Sequence, residues 1–139
     1  MKHVINAVNG DGMSFNMDIQ GYKVVTDASL DFGGLGLGPT PKPLMLAALA
    51  GCTGMDVVAF LNKMHVPYDK LNIKVEGELT DEHPKRYTKM HVTYQLKGKE
   101  ILPEKVEQAV KLSQEKYCGV AAVYKQVMDL TYSIEISKE

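Results

Sequence analysis

The sequence predicts an α+β fold in which mostly antiparallel sheets surround a buried central helix, in the order βββ-α-ββ-αα-β. Several segments alternate apolar and polar residues, as half-buried strands do. Residues 44–55 contain no charged side chain, which favours a helix that is buried on all sides. Because strands and helices occur in groups along the chain, the sheet is expected to be mostly antiparallel with its helices on one side.

The first group is three short strands. A strand over residues 4–8 precedes Asn9-Gly10-Asp11-Gly12, and an Asn-Gly or Asp-Gly pair between apolar runs is a strong hairpin signal. Residues 13–19 then alternate clearly, and Gly21 turns the chain into a third strand over residues 22–26.

The central helix follows a loop rich in glycine and proline. Pro43 fits the first helical turn, where a missing N–H costs nothing, and Pro67 predicts an end near His65. The charge-free run is too short for a membrane span, which needs about 18 or more apolar residues. Small residues near one face would let another backbone come close: Ala47, Gly51 and Gly54.

The second half of the chain repeats these patterns. Alternating strands are predicted over residues 71–79 and 90–96, joined by a polar turn. Pro103 opens an amphipathic helix that is expected to end near Tyr117, and a shorter helix follows over about residues 119–128. A last alternating strand covers residues 130–136.

Composition limits the function classes. A chain of 139 residues is expected to form one domain covering residues 1–139. The net charge of −1, a single arginine and no tryptophan argue against nucleic-acid binding. The first ten residues lack the apolar core of a signal peptide, and two cysteines are no disulfide scaffold. We therefore expect a cytoplasmic protein with reduced thiols and no membrane partner.

Two cysteines are the candidate functional residues. Cys52 lies on the central helix, and Cys118 falls between two predicted helices, where it could cap the second one. A helix N-terminus favours a thiolate. The two residues are either buried core thiols, as free cysteines often are, or an attacking and a resolving thiol. Only the fold can decide whether they meet.

Other chemistry has weaker support. The loop of residues 33–40 resembles a phosphate-binding loop, but Pro39 stands where its essential lysine should be. The histidines form no metal-binding motif, the cysteines form no C-x-x-C, and His91 is expected to be solvated. No G-x-S-x-G motif is present. No cofactor and no metal ion are therefore expected.

Three segments resemble the OsmC/Ohr superfamily, which comprises osmotically inducible protein C and the organic hydroperoxide resistance proteins. GPTP at residues 38–41 and LMLAALAGCTGMDVV at residues 44–58 resemble its core-helix signature. LSQEKYC at residues 112–118 resembles its second cysteine motif, and EHPKRYTK at residues 82–89 resembles the strand turn of the YhfA-like branch.

This resemblance implies an intertwined homodimer with sites where the subunits meet. It further implies a peroxidase of the oxidative stress response that reduces organic hydroperoxides and is recycled by an external thiol reductant. Cys52 would attack the hydroperoxide and become a sulfenic acid, which Cys118 would resolve as a disulfide. In the peroxidases, a glutamate near the start of the core helix and an arginine from the N-terminal hairpin activate the cysteine.

This sequence has neither of the two activating residues at the matching positions. The helix starts with Pro41-Lys42-Pro43, and the hairpin offers Asp11 but no arginine. Two hypotheses follow. The protein is a cysteine-dependent hydroperoxide reductase that uses another activating group, or it is a non-catalytic module of the same fold that senses redox state or binds a small apolar ligand.

Overall fold

The computed structural model describes residues 1–139 and has the predicted order of three strands, a helix, two strands, two helices and a strand. By its internal contacts the chain divides into two units, Met1–Met45 and Leu46–Glu139. The single domain expected from the chain length stays a prediction.

The first unit is a three-stranded antiparallel sheet. Its strands are β1 (Asn6–Asn9), β2 (Phe15–Ile19) and β3 (Tyr22–Thr26), in the order β1-β2-β3. The predicted hairpin is confirmed: the Asn9 side chain donates to the carbonyls of Gly12 and Ser14 across the turn. Gly12 has a φ of +58°, a backbone conformation that favours glycine.

The first unit buries no apolar side chain. Its fully buried residues are polar: Ser14, Thr26 and Asp27. Large apolar side chains of the same unit are exposed, including Val8, Tyr22 and Phe32. A three-stranded sheet needs an apolar face packed against something for independent stability, so this unit lacks a core of its own.

Helix α1 (Leu44–Lys63) is the predicted central helix and belongs to the second unit from Leu46 onward. Within a single chain it buries one stripe at a spacing of four residues: Leu49, Thr53, Val57 and Leu61. In the single chain the helix is thus not buried on all sides as predicted: residues on its other faces are half-buried or exposed, and Met55 is 71% exposed. The helix ends two residues before the predicted position, and His65 follows with a φ of +56°.

The length of α1 bears on the expectation that the charge-free run does not span a membrane. The charge-free run belongs to a helix of 20 residues, which by length and composition alone could cross a membrane. The core helix of a soluble protein can meet the same criterion. Here Leu49, Val57 and Leu61 are part of the hydrophobic core of the second unit.

The sheet of the second unit has the order β4-β5-β6. Its strands are β4 (Lys70–Leu79), β5 (Tyr87–Lys97) and β6 (Asp129–Ser137). β4 and β5 pair antiparallel as predicted, whereas β5 and β6 pair parallel. Two parallel neighbours need a long crossover, and the helices between β5 and β6 supply it.

The crossover contains α2 (Pro103–Leu112), a π-helical segment (Ser113–Tyr117) and α3 (Gly119–Tyr124). The amphipathic pattern of α2 is confirmed, since Val106, Ala109 and Val110 are buried. The α-helix expected to run to Tyr117 changes to π-helix at Ser113, and α3 ends four residues earlier than expected.

Candidate active site

The two cysteines meet in the second unit. Cys52 lies in the middle of α1, and Cys118 lies between the π-helical segment and α3. Their side chains are in hydrogen-bonding contact, and both thiols are free. Cys52 is half-buried, whereas Cys118 is only 3% exposed. The structure therefore brings together both residues that the sequence predicts for the site, one reachable from solvent and one behind it.

Two backbone contacts fix the position of Cys118. Its N–H donates to the carbonyl of Ser113 at 2.8 Å, which closes the π-helical turn. Its Sγ accepts a hydrogen bond from the N–H of Ala121 at 3.3 Å, so Cys118 caps α3. The capping role predicted from the sequence is confirmed.

The cap does not make Cys118 a thiolate. Burial raises the pKa of the Cys118 thiol to about 11, and the neighbouring Cys52 and Asp56 act in the same direction. The hydrogen bond from the Ala121 N–H lowers this pKa but is outweighed. The expected preference for a thiolate is therefore wrong in its net effect, because desolvation of the charged form dominates at a buried site.

A chain of buried polar side chains lies beside the thiols. The Thr53 hydroxyl is 2.6 Å from the Tyr94 hydroxyl and 2.7 Å from the Ser113 hydroxyl. Ser113 donates to Asp56 Oδ2 at 2.8 Å, and the Gln114 amide donates to the Tyr94 hydroxyl at 2.7 Å. Thr53, Tyr94 and Ser113 are completely buried. Buried polar groups of this kind are normally paired with each other.

The hydrogen bonds of this chain all point the same way. Ser113 has one hydroxyl hydrogen, which goes to Asp56. The bond between Thr53 and Ser113 must then use the hydrogen of Thr53, and the bond between Tyr94 and Thr53 must use that of Tyr94. Tyr94 in turn accepts from Gln114. The chain therefore runs from the Gln114 amide to the Asp56 carboxylate.

With the hydrogen bonds in this direction, one buried hydrogen-bond acceptor has no donor. Gln114 Oε1 is buried and has no hydrogen-bond partner. The amide cannot be turned round to pair this oxygen with Tyr94, because the Tyr94 hydrogen already serves Thr53. Burial also raises the pKa of Tyr94, which keeps the phenol protonated and able to donate.

Comparison with known proteins agrees with this architecture. The family description for the OsmC-like protein matches residues 33–133 of the chain. The chain belongs to the OsmC-like family. It is 32% identical to protein YhfA of Escherichia coli K12 over 98 residues, which are 70% of this chain and 73% of YhfA.

Solved structures show the same OsmC-like fold. A hypothetical protein from Aquifex aeolicus is 28% identical and superimposes with a TM-score of 0.86, covering 100% of both chains. The organic hydroperoxide resistance protein OhrB of Bacillus subtilis is 14% identical and has a TM-score of 0.68, covering 97% of this chain and 98% of OhrB. At that identity the likeness to OhrB shows the fold alone.

Sequence reasoning missed the polar chain of this OsmC-like site. One signal was present, because Thr53 is a hydroxyl residue inside the charge-free part of α1, directly after Cys52. Tyr94 lies on the buried face of β5, where an aromatic residue reads as ordinary core. Ser113 and Gln114 continue the helical spacing of the buried residues Val106, Ala109 and Val110. Two polar residues on an apolar helix face were therefore a second signal, and it was not used.

The glycine-rich loop has a structural role in the first unit. The buried carboxylate of Asp27 accepts hydrogen bonds from the N–H groups of Ala28, Leu35 and Leu37 at 2.8, 2.9 and 3.2 Å. These bonds, with that of Leu35 first, hold the pKa of Asp27 below its ordinary value. The loop thus wraps around a carboxylate of its own chain, which a phosphate-binding loop does not do.

The remaining polar candidates have other hydrogen-bond partners or are exposed. His91 is half-buried on β5, and its ring nitrogens contact the hydroxyls of Thr131 and Ser133 at 2.6 and 3.0 Å. The single arginine, Arg86, is exposed in the turn before β5. No cluster of three or more His, Cys, Asp or Glu side chains has the arrangement of a metal site.

Proposed function

We propose that this protein is a cysteine-dependent reductase of organic hydroperoxides, in which Cys52 attacks and Cys118 resolves. The observation that carries the proposal is the contact between a half-buried and a buried thiol that are 66 residues apart in sequence (118 − 52). A resolving thiol must reach the attacking one, and this contact meets that requirement.

The chemistry needs two steps. The Cys52 thiolate attacks one peroxide oxygen, the O–O bond breaks, and the alkoxide leaves with a proton as an alcohol, which leaves Cys52 as a sulfenic acid. The Cys118 sulfur then forms a bond to the Cys52 sulfur, the S–O bond breaks, and water leaves. An external dithiol reduces the resulting disulfide and restores both thiols. Apolar neighbours of the site would favour an alkyl hydroperoxide over hydrogen peroxide.

A count of free thiols tests the proposal directly. Reduced protein receives one equivalent of cumene hydroperoxide, and the free thiols and the intact mass are followed with time. We expect rapid loss of both thiols and a Cys52–Cys118 bridge on peptide mapping. The Cys52→Ser variant should not consume the hydroperoxide, and Cys118→Ser should accumulate a sulfenic acid that a sulfenate-specific reagent traps. Two unreacted thiols after prolonged exposure would refute the proposal.

The proposal includes a cytoplasmic homodimer with its sites at the subunit interface. Two observations support a second copy. The first unit has no apolar core of its own, and an open groove of about 830 Å³ lies between α1 and β4 in the second unit. Gly51, Gly54 and Met55 lie along this groove. A second subunit that covers it would bury the exposed face of α1.

The groove also favours a second candidate function. Apolar side chains of α1 and β4, including Val58, Leu71 and Ile73, line a space large enough for a small apolar ligand. The sequence lacks the activating glutamate and arginine of the peroxidases. A ligand-binding or redox-sensing module would show saturable uptake of a fluorescent fatty acid by the dimer and no turnover of hydroperoxide with a dithiol. Sustained turnover would exclude it.

A further inference from the structure

We propose that Asp56 is the proton acceptor for the resolving thiol Cys118 and that Ser113 and Thr53 are the residues that position it. This inference rests on the proposed function, because it concerns the step in which the two thiols join. It supplies a proton-handling group for a site that lacks the glutamate and arginine expected from the resemblance.

The first argument is placement. Asp56 follows Cys52 by four residues on α1, which puts the two side chains on the same face of the helix. Ser113 connects this face to the second thiol. Its hydroxyl donates to the Asp56 carboxylate at 2.8 Å, and its carbonyl accepts the N–H of Cys118 at 2.8 Å. Ser113 therefore contacts both the Asp56 carboxylate and the backbone of Cys118, the residue whose thiol Asp56 would deprotonate.

The second argument is the direction of the polar chain. The hydroxyl hydrogens of Tyr94, Thr53 and Ser113 all point toward Asp56, so the polar chain ends in a hydrogen bond to the carboxylate. Because these hydroxyls are completely buried, water does not replace them easily. The carboxylate is thereby held in one orientation while its second oxygen, Oδ1, stays available for a proton.

The third argument is chemical need. Cys118 is a protonated thiol at neutral pH, because its pKa is about 11. The charges that act on it come from Cys52 and Asp56 on α1, while Tyr94 on β5 and Tyr124 on α3 face it as neutral phenols. Lys125, beyond α3, donates to the carbonyl of Gln114. Asp56 is therefore the carboxylate that acts on this thiol.

The step balances as follows. The Cys118 S–H gives its proton to the Asp56 carboxylate while its sulfur forms the bond to the Cys52 sulfur. The S–O bond of the Cys52 sulfenic acid breaks, and the departing hydroxide takes the proton from Asp56 to become water. The product is the disulfide, and Asp56 is returned as a carboxylate.

An aryl disulfide tests this step without a hydroperoxide. Reduced protein is mixed with dithiobis(nitrobenzoate), and release of the coloured thionitrobenzoate is followed. Cys52 releases the first equivalent at a rate that depends on reagent concentration. Cys118 then attacks the mixed disulfide on Cys52 and releases the second equivalent at a rate that does not depend on it. In this reaction the leaving group is thionitrobenzoate instead of hydroxide, so the proton passes from Asp56 to solvent.

We expect Asp56→Asn to slow the second phase about 100-fold at pH 7, within the usual range for removal of a general base, and to leave the first phase within about twofold. The deficit should shrink as the pH rises toward 11, where Cys118 ionises by itself. Ser113→Ala, which keeps the carboxylate but releases it, should slow the second phase by a smaller factor. The matched control is Glu115→Gln, an exposed carboxylate in the same segment, which should change neither phase.

Three outcomes would overturn the inference: an unchanged second phase in Asp56→Asn, equal slowing of both phases, or a deficit that is the same at every pH. The last would indicate a merely structural role. A failure of this inference can be distinguished from a failure of the proposed function. Normal two-phase release without hydroperoxide consumption would refute the reductase alone, whereas normal hydroperoxide reduction with an unaffected Asp56→Asn would refute only the role of Asp56.

Discussion

The N–H of Cys118 donates to the carbonyl of Ser113, five residues earlier, over 2.8 Å. This bond makes the turn a π-helix, which holds more residues than an α-helical turn. The turn buries the Ser113 and Gln114 side chains within the polar chain and leaves Cys118 at the start of α3 against Cys52. The local distortion of the helix therefore builds the site.

The reactivity of Cys118 should depend steeply on pH. In the Cys52→Ala variant, the contribution of Cys52 to the raised pKa is gone, but burial, the largest cause, remains. The pKa of Cys118 should therefore lie below 11 and above the ordinary thiol value of about 8.5. The rate of alkylation by iodoacetamide should rise nearly tenfold from pH 7 to 8.

The same shift affects stability. Because the folded thiol binds its proton more tightly than the unfolded thiol, the contribution of Cys118 is complete below about pH 8.5 and is lost as the pH rises toward 11. Cys118→Ala should remove this alkaline loss from the urea unfolding curve. In the alkylation experiment on Cys52→Ala, a rate that levels off below pH 8 would contradict the raised pKa of Cys118.

Replacement of Thr53 by valine should test the polar chain. The shape is kept, but the Tyr94 hydroxyl loses its acceptor and Ser113 loses its donor. We expect the free energy of unfolding in urea to fall by about 1–3 kcal/mol, the usual cost of leaving buried polar groups unpaired. The double variant with Tyr94→Phe should lose less than the sum of the single variants, because the two residues share one hydrogen bond. If the losses of the two single variants add up in the double variant, Thr53 and Tyr94 do not share this hydrogen bond.

The sequence predicts the elements of this fold better than their contacts. Alternation and capping signals are local, so the strands and α1 were placed within a few residues. The meeting of Cys52 and Cys118 depends on long-range packing, which no local pattern encodes. The π-helical turn at Ser113 was missed because the amphipathic pattern of α2 continues smoothly into it. The parallel pairing of β5 and β6 depends on the path of the crossover rather than on either strand.

Loss of the Asp27 carboxylate should loosen the glycine-rich loop. The pKa of Asp27 is lowered by the N–H groups that it accepts, that of Leu35 first. The stabilisation is therefore present above the unfolded pKa of about 4 and disappears as the pH falls through the folded pKa. Amide hydrogen exchange of Leu35 and Leu37 should be faster in Asp27→Asn at neutral pH. Asp31→Asn, at an exposed carboxylate in the short 3-10 helix Leu30–Phe32 just before the loop, should leave both amides protected.

Met55 should report on the proposed homodimer. Its side chain is 71% exposed in the single chain and lies along the groove between α1 and β4. If a second subunit covers this groove, glutamate at position 55 would place a charge in an apolar interface, where an unpaired charge is strongly unfavourable. Sedimentation equilibrium should then show a dimer dissociation constant raised at least tenfold. If the site is completed by the partner, hydroperoxide turnover should fall as the variant is diluted, while the far-ultraviolet circular dichroism stays unchanged.

Leu102→Glu, at an exposed apolar residue that does not line the groove, is the matched control and should dimerise like the wild type. A Met55→Glu protein that remains dimeric at the wild-type affinity would place the subunit contact elsewhere and leave the groove free for a ligand.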